Sequence, residues 1–478
     1  MTNQPHPIVS LLPIAVLILL LTLIIPIFGS DALAGGSQIA LLTTSAFCVF
    51  LGILIYKKRW IDFEKAIVNN ISGVSTALII LLIIGALSSV WMISGIVPTL
   101  IYYGVQIIHP HFFLASTCII CAIVSIMTGS SWTTIATIGI ALMGIGRAQG
   151  FSDGWIAGAI ISGAYFGDKI SPLSDTTILA SSISETPLFQ HIRYMLITTV
   201  PSLIITLIIF AVAGFTQTTN NTEQIQLFVN SLEGRFYITP WLLIVPLITG
   251  ILIAKKIPSI ITLFLSTLLA LVFAILFQPN ILLEIANTLD INSYKAIFKG
   301  SMLTLYGGTQ IETANEILAE LVATRGMSGM LNTVWLIICA MCFGGAMTAA
   351  GMIQSITSTF TKMIKNRFSI VGSTVGSGLF LNLATADQYL SIILTCNMFK
   401  DIYKKMGYES RLLSRTTEDA VTVTSVLIPW NSCGMTQATV LNVPTVVYLP
   451  YCFFNLISPI MSLTIAAIGY KIKKRVTH

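Results

Sequence analysis

The sequence predicts an all-α polytopic membrane protein with an inverted repeat, two hairpin segments and two proline-broken transmembrane helices. The 478-residue chain is 55% hydrophobic and only 9% charged, whereas soluble domains usually carry about 25% charged residues. Apolar runs near the roughly 20 residues that cross a bilayer recur along the whole chain. The two halves of the chain also match each other at a constant offset.

The first two apolar runs are predicted to be retained helices. Residues 8–28 lack a basic segment before them and are too long for a signal-peptide core, and a second apolar run follows from 39 to 56. The apolar pattern predicts ten helices in all: 8–28, 38–56, 77–104, 155–185, 195–216, 239–254, 258–276, 332–353, 416–440 and 446–470.

Basic residues in short loops predict the orientation of these helices. They cluster at 57–59, 255–256, 362–367 and 471–475. Lys and Arg collect on the cytoplasmic side, so both termini are predicted to be cytoplasmic. The net charge of +6 is thereby explained without a nucleic-acid partner. This topology requires the segments 111–146 and 369–399 to enter and leave the bilayer on the same side, as hairpins.

The two halves of the chain come into register when Pro172 is aligned with Pro429, and we call this shift the repeat offset. It also matches Ser116-Thr117 with Ser373-Thr374, and Gly150 with Gly407. The first helix of one half leaves a basic loop, whereas its counterpart runs towards one, so the repeat is predicted to be inverted. Inverted repeats with interrupted helices are typical of secondary transporters, whose sites lie near the membrane midplane.

The repeat predicts five units along the chain. They are N-terminal scaffold helices (1–76), a first repeat (77–192, with hairpin 111–146 and broken helix 155–185), connecting helices and external segments (193–331), a second repeat (332–440, with hairpin 369–399 and broken helix 416–440), and a C-terminal helix with a basic tail (441–478).

The stretch GDKISPLSD, residues 167–175, places polar residues inside an apolar run. Pro172 and its counterpart Pro429 each remove a backbone donor and are expected to leave carbonyl oxygens free for a hard cation such as Na+. A carboxylate buried in the membrane costs about 2.5–3.5 kcal/mol and usually has a function. The predicted cation and proton site consists of Asp175, Ser174, Asp387, Thr385 and Asn431, with Na+ at Asp175 and Asp387. Competition between Na+ and H+ at one carboxylate is sufficient for antiport.

Other polar residues surround this predicted site. The tip of the first hairpin is predicted at Thr128, Gly129, Ser130 and Ser131. Asp168 and Lys169 are expected either to line a proton route or to pair with each other. Glu418 and Asp419 are expected either to relay protons or to stabilise the N-terminus of the second broken helix. The aromatic residues near the tips are candidates for gating or for packing: Trp132, Tyr389 and Trp430.

The motifs of several enzyme classes are missing from the sequence. The eight cysteines have no histidine nearby at metal-ligand spacing, so they are interpreted as packing residues. There is no Gly-x-Ser-x-Gly elbow and no phosphate-binding loop. No enzyme activity and no cofactor are therefore predicted. A channel and an intramembrane aspartic protease are the competing classes.

Residues 167–177 (GDKISPLSDTT) resemble the signature of NhaC-type Na+/H+ antiporters, and so do the stretches 385–388, 418–422 and 428–434. The resemblance implies a carrier of the cytoplasmic membrane that exchanges Na+ or Li+ for H+, and by analogy a homodimer. Some relatives exchange malate and lactate, so an exchanger of small organic acids or an amino-acid carrier is the alternative. An aspartate at a hairpin tip repels anions, which favours the inorganic cation.

Overall fold

The computed structural model describes residues 5–28, 35–216, 222–255, 257–287, 293–313 and 316–472. Within these ranges the only extended pairing is a bridge between Thr309 and Thr324. Eight described helices are long and apolar enough to cross a bilayer, or up to ten if each of two bent pairs is one span. The prediction of an all-α polytopic membrane protein is confirmed. Lys256 and the basic tail from residue 473 onward lie outside the described residues.

Three helices form the N-terminal segment: α1 (Pro7–Phe28), α2 (Gly36–Leu54) and α3 (Trp60–Gly73). The third was missing from the prediction because its sequence, WIDFEKAIVNNISG, is amphipathic rather than apolar. Phe63 buries its ring next to Gly52 of α2. An amphipathic helix needs only one apolar stripe, so a search for continuous apolar runs overlooks it.

The first predicted repeat is made of α4 (Ser75–Ile93), α5 (Ile96–Ile107), a 3-10 turn (Pro110–Phe112), α6 (Phe113–Thr128), α7 (Ser131–Thr134), a π-helical turn (Ile135–Gly139), α8 (Ile140–Ala148), α9 (Asp153–Ile170) and α10 (Asp175–Ile183). The prediction of a single helix at 77–104 is wrong, because two helices, α4 and α5, occupy this range. Gly95, at φ 82°, separates α4 from α5, and the left-handed conformation of a glycine commonly ends a helix.

The connecting segment contains α11 (Leu188–Thr216), α12 (Thr222–Arg235), a 3-10 turn (Pro240–Leu243), α13 (Ile244–Ala254), α14 (Ser259–Phe277), α15 (Pro279–Ala286), α16 (Ser293–Tyr306), α17 (Glu316–Val322) and a 3-10 turn (Ser328–Met330). α11 begins before the predicted start at 195, because its first turns carry His191 and Arg193, which interrupt the apolar pattern.

The second predicted repeat consists of α18 (Leu331–Ala349), α19 (Met352–Lys362), α20 (Arg367–Thr385), α21 (Gln388–Lys405), α22 (Ser410–Thr417), a π-helical turn (Glu418–Thr422), a 3-10 turn (Ser425–Leu427) and α23 (Ser432–Leu441). The chain then forms α24 (Thr445–Tyr448), a 3-10 turn (Leu449–Tyr451) and α25 (Phe453–Ile468). Gly351, at φ 74°, separates α18 from α19, so the predicted helix 332–353 is also two helices.

Helix boundaries recur between the two halves at the repeat offset. The corresponding first residues are Ser131 and Gln388 for α7 and α21, Asp153 and Ser410 for α9 and α22, and Asp175 and Ser432 for α10 and α23. The starts of α4 and α18, at Ser75 and Leu331, depart from this offset by a single position. Both halves therefore use the same order of helices and breaks.

Glycine allows a close approach between α6 and α9. A Cβ atom added to Gly163 would overlap the carbonyl oxygen of Cys118. One turn further along α9, Gly167 meets the carbonyl oxygen of Ala122 in the same way. Because backbone cannot move aside as a flexible side chain can, these two glycines fix the distance between the first hairpin and the first broken helix.

We expect the substitution Gly163→Ala to destabilise the protein by about 1–3 kcal/mol, the usual effect of overpacking. Gly372→Ala in α20 is the matched control, since its added Cβ would lie 3.8 Å from the nearest atom, in Leu463. Alanine also favours helix over glycine by roughly 0.5–1 kcal/mol. Thermal unfolding in detergent should show a lower midpoint for Gly163→Ala only, and equal midpoints for both variants would contradict the packing argument.

Candidate functional site

Both broken helices restart with a capped N-terminus. In the first half the break covers residues 171–174, and Ser174 caps α10 by accepting the backbone N–H of Thr177. In the second half, Asn431 caps α23 by accepting the N–H of Cys433 at 3.1 Å. Capping satisfies one of the N–H groups that a helix start leaves without a partner.

The hairpin tips lie against these breaks. The first tip turns at Gly129, with φ 65°, and packs against Leu173. The second turns at Ala386, with φ 57°, whose carbonyl oxygen accepts the N–H of Ser432 at 2.8 Å. A left-handed conformation is unfavourable for alanine. The buried position of Ala386 and this hydrogen bond maintain it.

Three aspartates line one cavity of about 420 Å³ between the two halves. They are Asp168, Asp175 and Asp387, and we call this space the aspartate cavity. The other lining residues include the tip residues 128–133, Leu173, Thr176, Gln388, Tyr389, Ser432, residues of α4 and its approach (73–80), and Ser259. Among the residues that the structure describes, no lysine, arginine or histidine belongs to this lining.

Two of the three carboxylates are buried and held by donors. Asp168 accepts the backbone N–H of Ser131 at 3.1 Å and its hydroxyl at 2.7 Å. Asp387 caps α21 by accepting the N–H of Leu390 at 2.8 Å, and its other oxygen accepts the hydroxyl of Ser432 at 3.1 Å. The two side chains therefore have fixed positions.

Asp175 differs from these two because it is exposed to the cavity. The sequence argument assumed a buried carboxylate at this position. As the first residue of α10, Asp175 follows the cap Ser174 and projects from the start of the helix. An anionic side chain is favoured at this end of a helix.

Three predicted members of the cation site lie beside the cavity rather than in its lining. Ser174 and Asn431 cap helices, as described above. Thr385 bonds the backbone N–H of Asp387 at 3.2 Å and the hydroxyl of Ser391 at 2.8 Å. These residues hold the aspartate-bearing elements in place.

Several carbonyl groups in the helical turns before Pro172 and Pro429 accept hydrogen bonds from side chains. Thr177 donates to the carbonyl of Lys169 at 3.0 Å. In the second half, Asn382 donates to Val421 at 2.8 Å, Asn455 to Val423 at 2.7 Å and Tyr448 to Val426 at 2.9 Å. A buried carbonyl without a donor is costly, so the chain supplies donors.

Asp168 and Lys169 do not pair with each other. Asp168 points to Ser131, whereas Lys169 forms a buried ion pair with Asp419 of the other half. Consecutive residues on a helix point in directions about 100° apart. Their side chains therefore reach different neighbours despite their adjacency in sequence.

Glu418 and Asp419 lie within a helical segment that begins at Ser410, not at its N-terminus. The prediction placed the start of this helix at 416 because Arg411 and Arg415 interrupt the apolar pattern. The prediction is wrong, since α22 begins at Ser410. Stabilisation by a helix N-terminus therefore does not explain the two acidic residues. They sit in a π-helical turn, a feature frequent at functional sites.

The aromatic residues near the tips fall into two groups. Trp132 and Tyr389 line the aspartate cavity. Trp430 instead donates its Nε1–H to the carbonyl oxygen of Leu383 at 2.9 Å.

Sequence reasoning missed Gln388 and Ser432 in the lining of the aspartate cavity. The repeat offset pairs Ser432 with Asp175, which was a signal for it.

A family model described as the Na+/H+ antiporter family matches residues 163–470 of the chain. This chain belongs to the Na+/H+ antiporter family. The match includes both helix breaks, the second hairpin and all three aspartates of the cavity. Membership places the chain among transporters and confirms the NhaC resemblance.

The relatives of this chain are named as antiporters of different ions and solutes. The chain is 37% identical over 415 residues to the Na+/H+ antiporter NhaC of Alkalihalophilus pseudofirmus, covering 87% of each protein. It is 37% identical over 424 residues to the malate-2H+/Na+-lactate antiporter of Bacillus subtilis, covering 88% of this chain and 87% of the relative. It is 33% identical over 469 residues to the arginine/ornithine antiporter ArcD of Halobacterium salinarum, covering 97% and 92%.

Proposed function

We propose that this protein exchanges Na+ or Li+ for H+ across the cytoplasmic membrane by alternating access at the aspartate cavity. The observation that carries this proposal is the charge of the cavity. Three carboxylates line it, and no basic side chain in the described part of the chain does so. A concave site with charge of one sign concentrates ions of the opposite sign.

The helix starts around the cavity also favour a cation over an anion. A helix N-terminus is by itself an anion site. Here one backbone N–H near the start of α7 is bound by Asp168, and one near the start of α21 is bound by Asp387. These donors hold negative charge at the cavity wall rather than receiving the carboxylate of a substrate.

Competition for the same carboxylates would be sufficient for exchange. Bound Na+ favours the ionised form of an aspartate, and removal from water favours the protonated form. Asp175 is open to the cavity, and Asp387 is the fixed carboxylate of the second tip. In the described part of the chain, no three acidic, histidine or cysteine residues are close enough to hold one ion together. Na+ would thus contact one or two carboxylates and retain water.

The cavity extends to the side where α4 and α14 begin, and α14 follows Lys255 of a basic loop. With basic loops on the cytoplasmic side, this conformation is open to the cytoplasm and both termini are cytoplasmic. Transport would close this route and open the other side as the two repeats shift against the scaffold helices. A homodimer through these scaffold helices remains a prediction.

An exchanger of small organic solutes is the second candidate, and the cavity volume favours it. A space of about 420 Å³ is larger than a bare Na+ ion requires. Two relatives are named as antiporters of malate and lactate or of arginine and ornithine. The negative lining suits the ammonium or guanidinium groups of arginine and ornithine better than it suits malate.

Proton flux into proteoliposomes that contain a trapped pH dye tests this proposal. We expect NaCl alone to drive proton movement, whereas choline chloride does not. Malate, lactate, arginine and ornithine are then added separately, with and without NaCl. A flux that requires one of these solutes would replace Na+/H+ exchange by the second candidate.

A further inference from the structure

A second group of ionisable residues is buried away from the aspartate cavity. It consists of Lys169, Arg415, Glu418 and Asp419, and we call it the buried ion cluster. All four side chains are fully buried. None of them lines the aspartate cavity.

Only one of the two carboxyl oxygens of Asp419 accepts hydrogen bonds. Its Oδ1 atom pairs with Lys169 and accepts the hydroxyl of Thr198 at 3.0 Å. The hydroxyl of Ser458 accepts from Lys169 at 3.0 Å and donates to the same oxygen at 3.4 Å. Its Oδ2 atom accepts no hydrogen bond and lies 3.7 Å from Nε of Arg415.

Glu418 has no hydrogen-bond partner on either carboxyl oxygen. Thr422 faces it from the next turn, but the hydroxyl lies outside hydrogen-bond geometry. An ionised carboxylate buried without donors is strongly disfavoured. The surroundings of Glu418 in this conformation therefore favour its protonated form.

Charged and titratable side chains from several helices lie around the members of the buried ion cluster. They are Asp168 and Lys169 of α9, His191 and Tyr194 of α11, Cys396 and Lys400 of α21, and Arg415 and Asp419 of the segment that carries Glu418. α25, which also packs here, has no ionisable residue. The cluster thus contains two cationic side chains, Lys169 and Arg415, and one acid besides Glu418. An ionised Glu418 would therefore have a cation nearby to pair with.

The cluster and the cavity share one helix end. Asp168 and Lys169 are consecutive residues at the C-terminal end of α9, directly before the break. Asp168 points to the cavity and Lys169 to the cluster. A movement of this helix end would therefore change both sites at once.

A stripe of charged residues connects the cluster to the protein surface. Arg411, Arg415 and Asp419 are four residues apart and lie on one helix face. Arg411 is partly exposed and pairs with Glu409 at 2.5 Å. Both guanidinium groups stack on the ring of Tyr194, at 4.8 Å for Arg411 and 4.7 Å for Arg415.

We propose that Glu418, together with the Lys169–Asp419 pair, is a proton-binding site separate from the cation site of the aspartate cavity. This inference rests on the proposed Na+/H+ exchange. It assigns the two ions to two separate sites, in place of competition at the carboxylates of the aspartate cavity. When Glu418 releases its proton to water, the remaining carboxylate is neutralised by Lys169 or Arg415. When Glu418 binds a proton again, Lys169 pairs with Asp419 again and the C-terminal end of α9 regains its original position.

Two assays on the same proteoliposomes separate the two sites. Exchange of radiolabelled Na+ against unlabelled Na+ at equal pH requires only cation binding and alternation. Uptake of radiolabelled Na+ driven by a pH gradient also requires proton coupling. We expect Glu418→Gln, which mimics the protonated acid, to keep Na+/Na+ exchange and to lose pH-driven uptake to the level of protein-free liposomes. Asp401→Asn, an exposed acid on α21, should keep both.

The possible outcomes are distinct. If the unaltered protein shows neither activity, the proposed function fails. If it shows both and Glu418→Gln retains pH-driven uptake, the separate proton site is refuted. A folded Glu418→Gln protein without Na+/Na+ exchange would also refute it, because the residue would then serve cation binding. If Glu418→Gln does not fold, Glu418→Asp replaces it, with an altered pH profile of uptake expected and an unchanged profile contradicting the proposal.

Discussion

Substitution of Asp387 by asparagine is expected to weaken strongly the apparent affinity for Na+ in Na+-driven proton movement. Asp387 is 4% exposed, faces the aspartate cavity and is held by Leu390 and Ser432. Loss of one partner of a buried charge contact costs about 3 kcal/mol, which corresponds to about a hundredfold in apparent Na+ affinity. The initial rate of proton flux as a function of NaCl concentration measures this change.

Asparagine is chosen because it preserves the local structure. Its side-chain oxygen can still accept the N–H of Leu390, and asparagine caps a helix as well as aspartate does. Ser432→Ala is a graded control, since it removes one hydrogen bond, typically worth about 0.5–1.5 kcal/mol, and leaves the charge. A folded Asp387→Asn protein with unaltered Na+ affinity would contradict a role of this carboxylate in cation binding.

The second large effect is expected at Asp419, as a loss of stability. Asp419→Asn leaves Lys169 and Arg415 buried, with Glu418 as the only remaining acid of the cluster. Removal of one partner of a buried ion pair typically destabilises a protein by about 3–5 kcal/mol. The midpoint of thermal unfolding in detergent should fall clearly. Asp62→Asn, which removes the exposed ion pair with Arg59, should leave it nearly unchanged.

A double variant distinguishes charge imbalance from a packing defect. Lys169→Met combined with Asp419→Asn leaves one cation, Arg415, and one acid, Glu418. We expect the double variant to be more stable than Asp419→Asn alone, because it no longer buries Lys169 without its partner. Additive losses from the two substitutions would contradict coupling between these residues.

Much of the framework around the site follows from local sequence. Proline at 172 and 429 predicts the positions of both helix breaks, because proline lacks a backbone donor. The polar tips predict where the hairpins turn, and the turns occur at Gly129 and Ala386. The repeat offset, found in the sequence, also relates the first residues of α7 and α21 and of α9 and α22.

The roles of individual polar side chains were harder to predict. Ser174, Thr385 and Asn431 resemble ligands in sequence, yet each bonds its own helix start or hairpin turn. Short polar side chains serve both purposes, and local sequence does not distinguish the two. Asp168, predicted on a proton route or in an ion pair with Lys169, lines the cavity and does not pair with Lys169.

The sequence by itself determined the class of protein, the positions of the breaks and tips, and which acidic residues are candidates for the site. These properties depend on apolar length, proline and local polarity, all of which act over a few turns of helix. Only the tertiary structure decided that three aspartates share one cavity and that Lys169 pairs with Asp419 of the other half. The reason is physical, because the direction of a side chain and its partner depend on how distant helices pack.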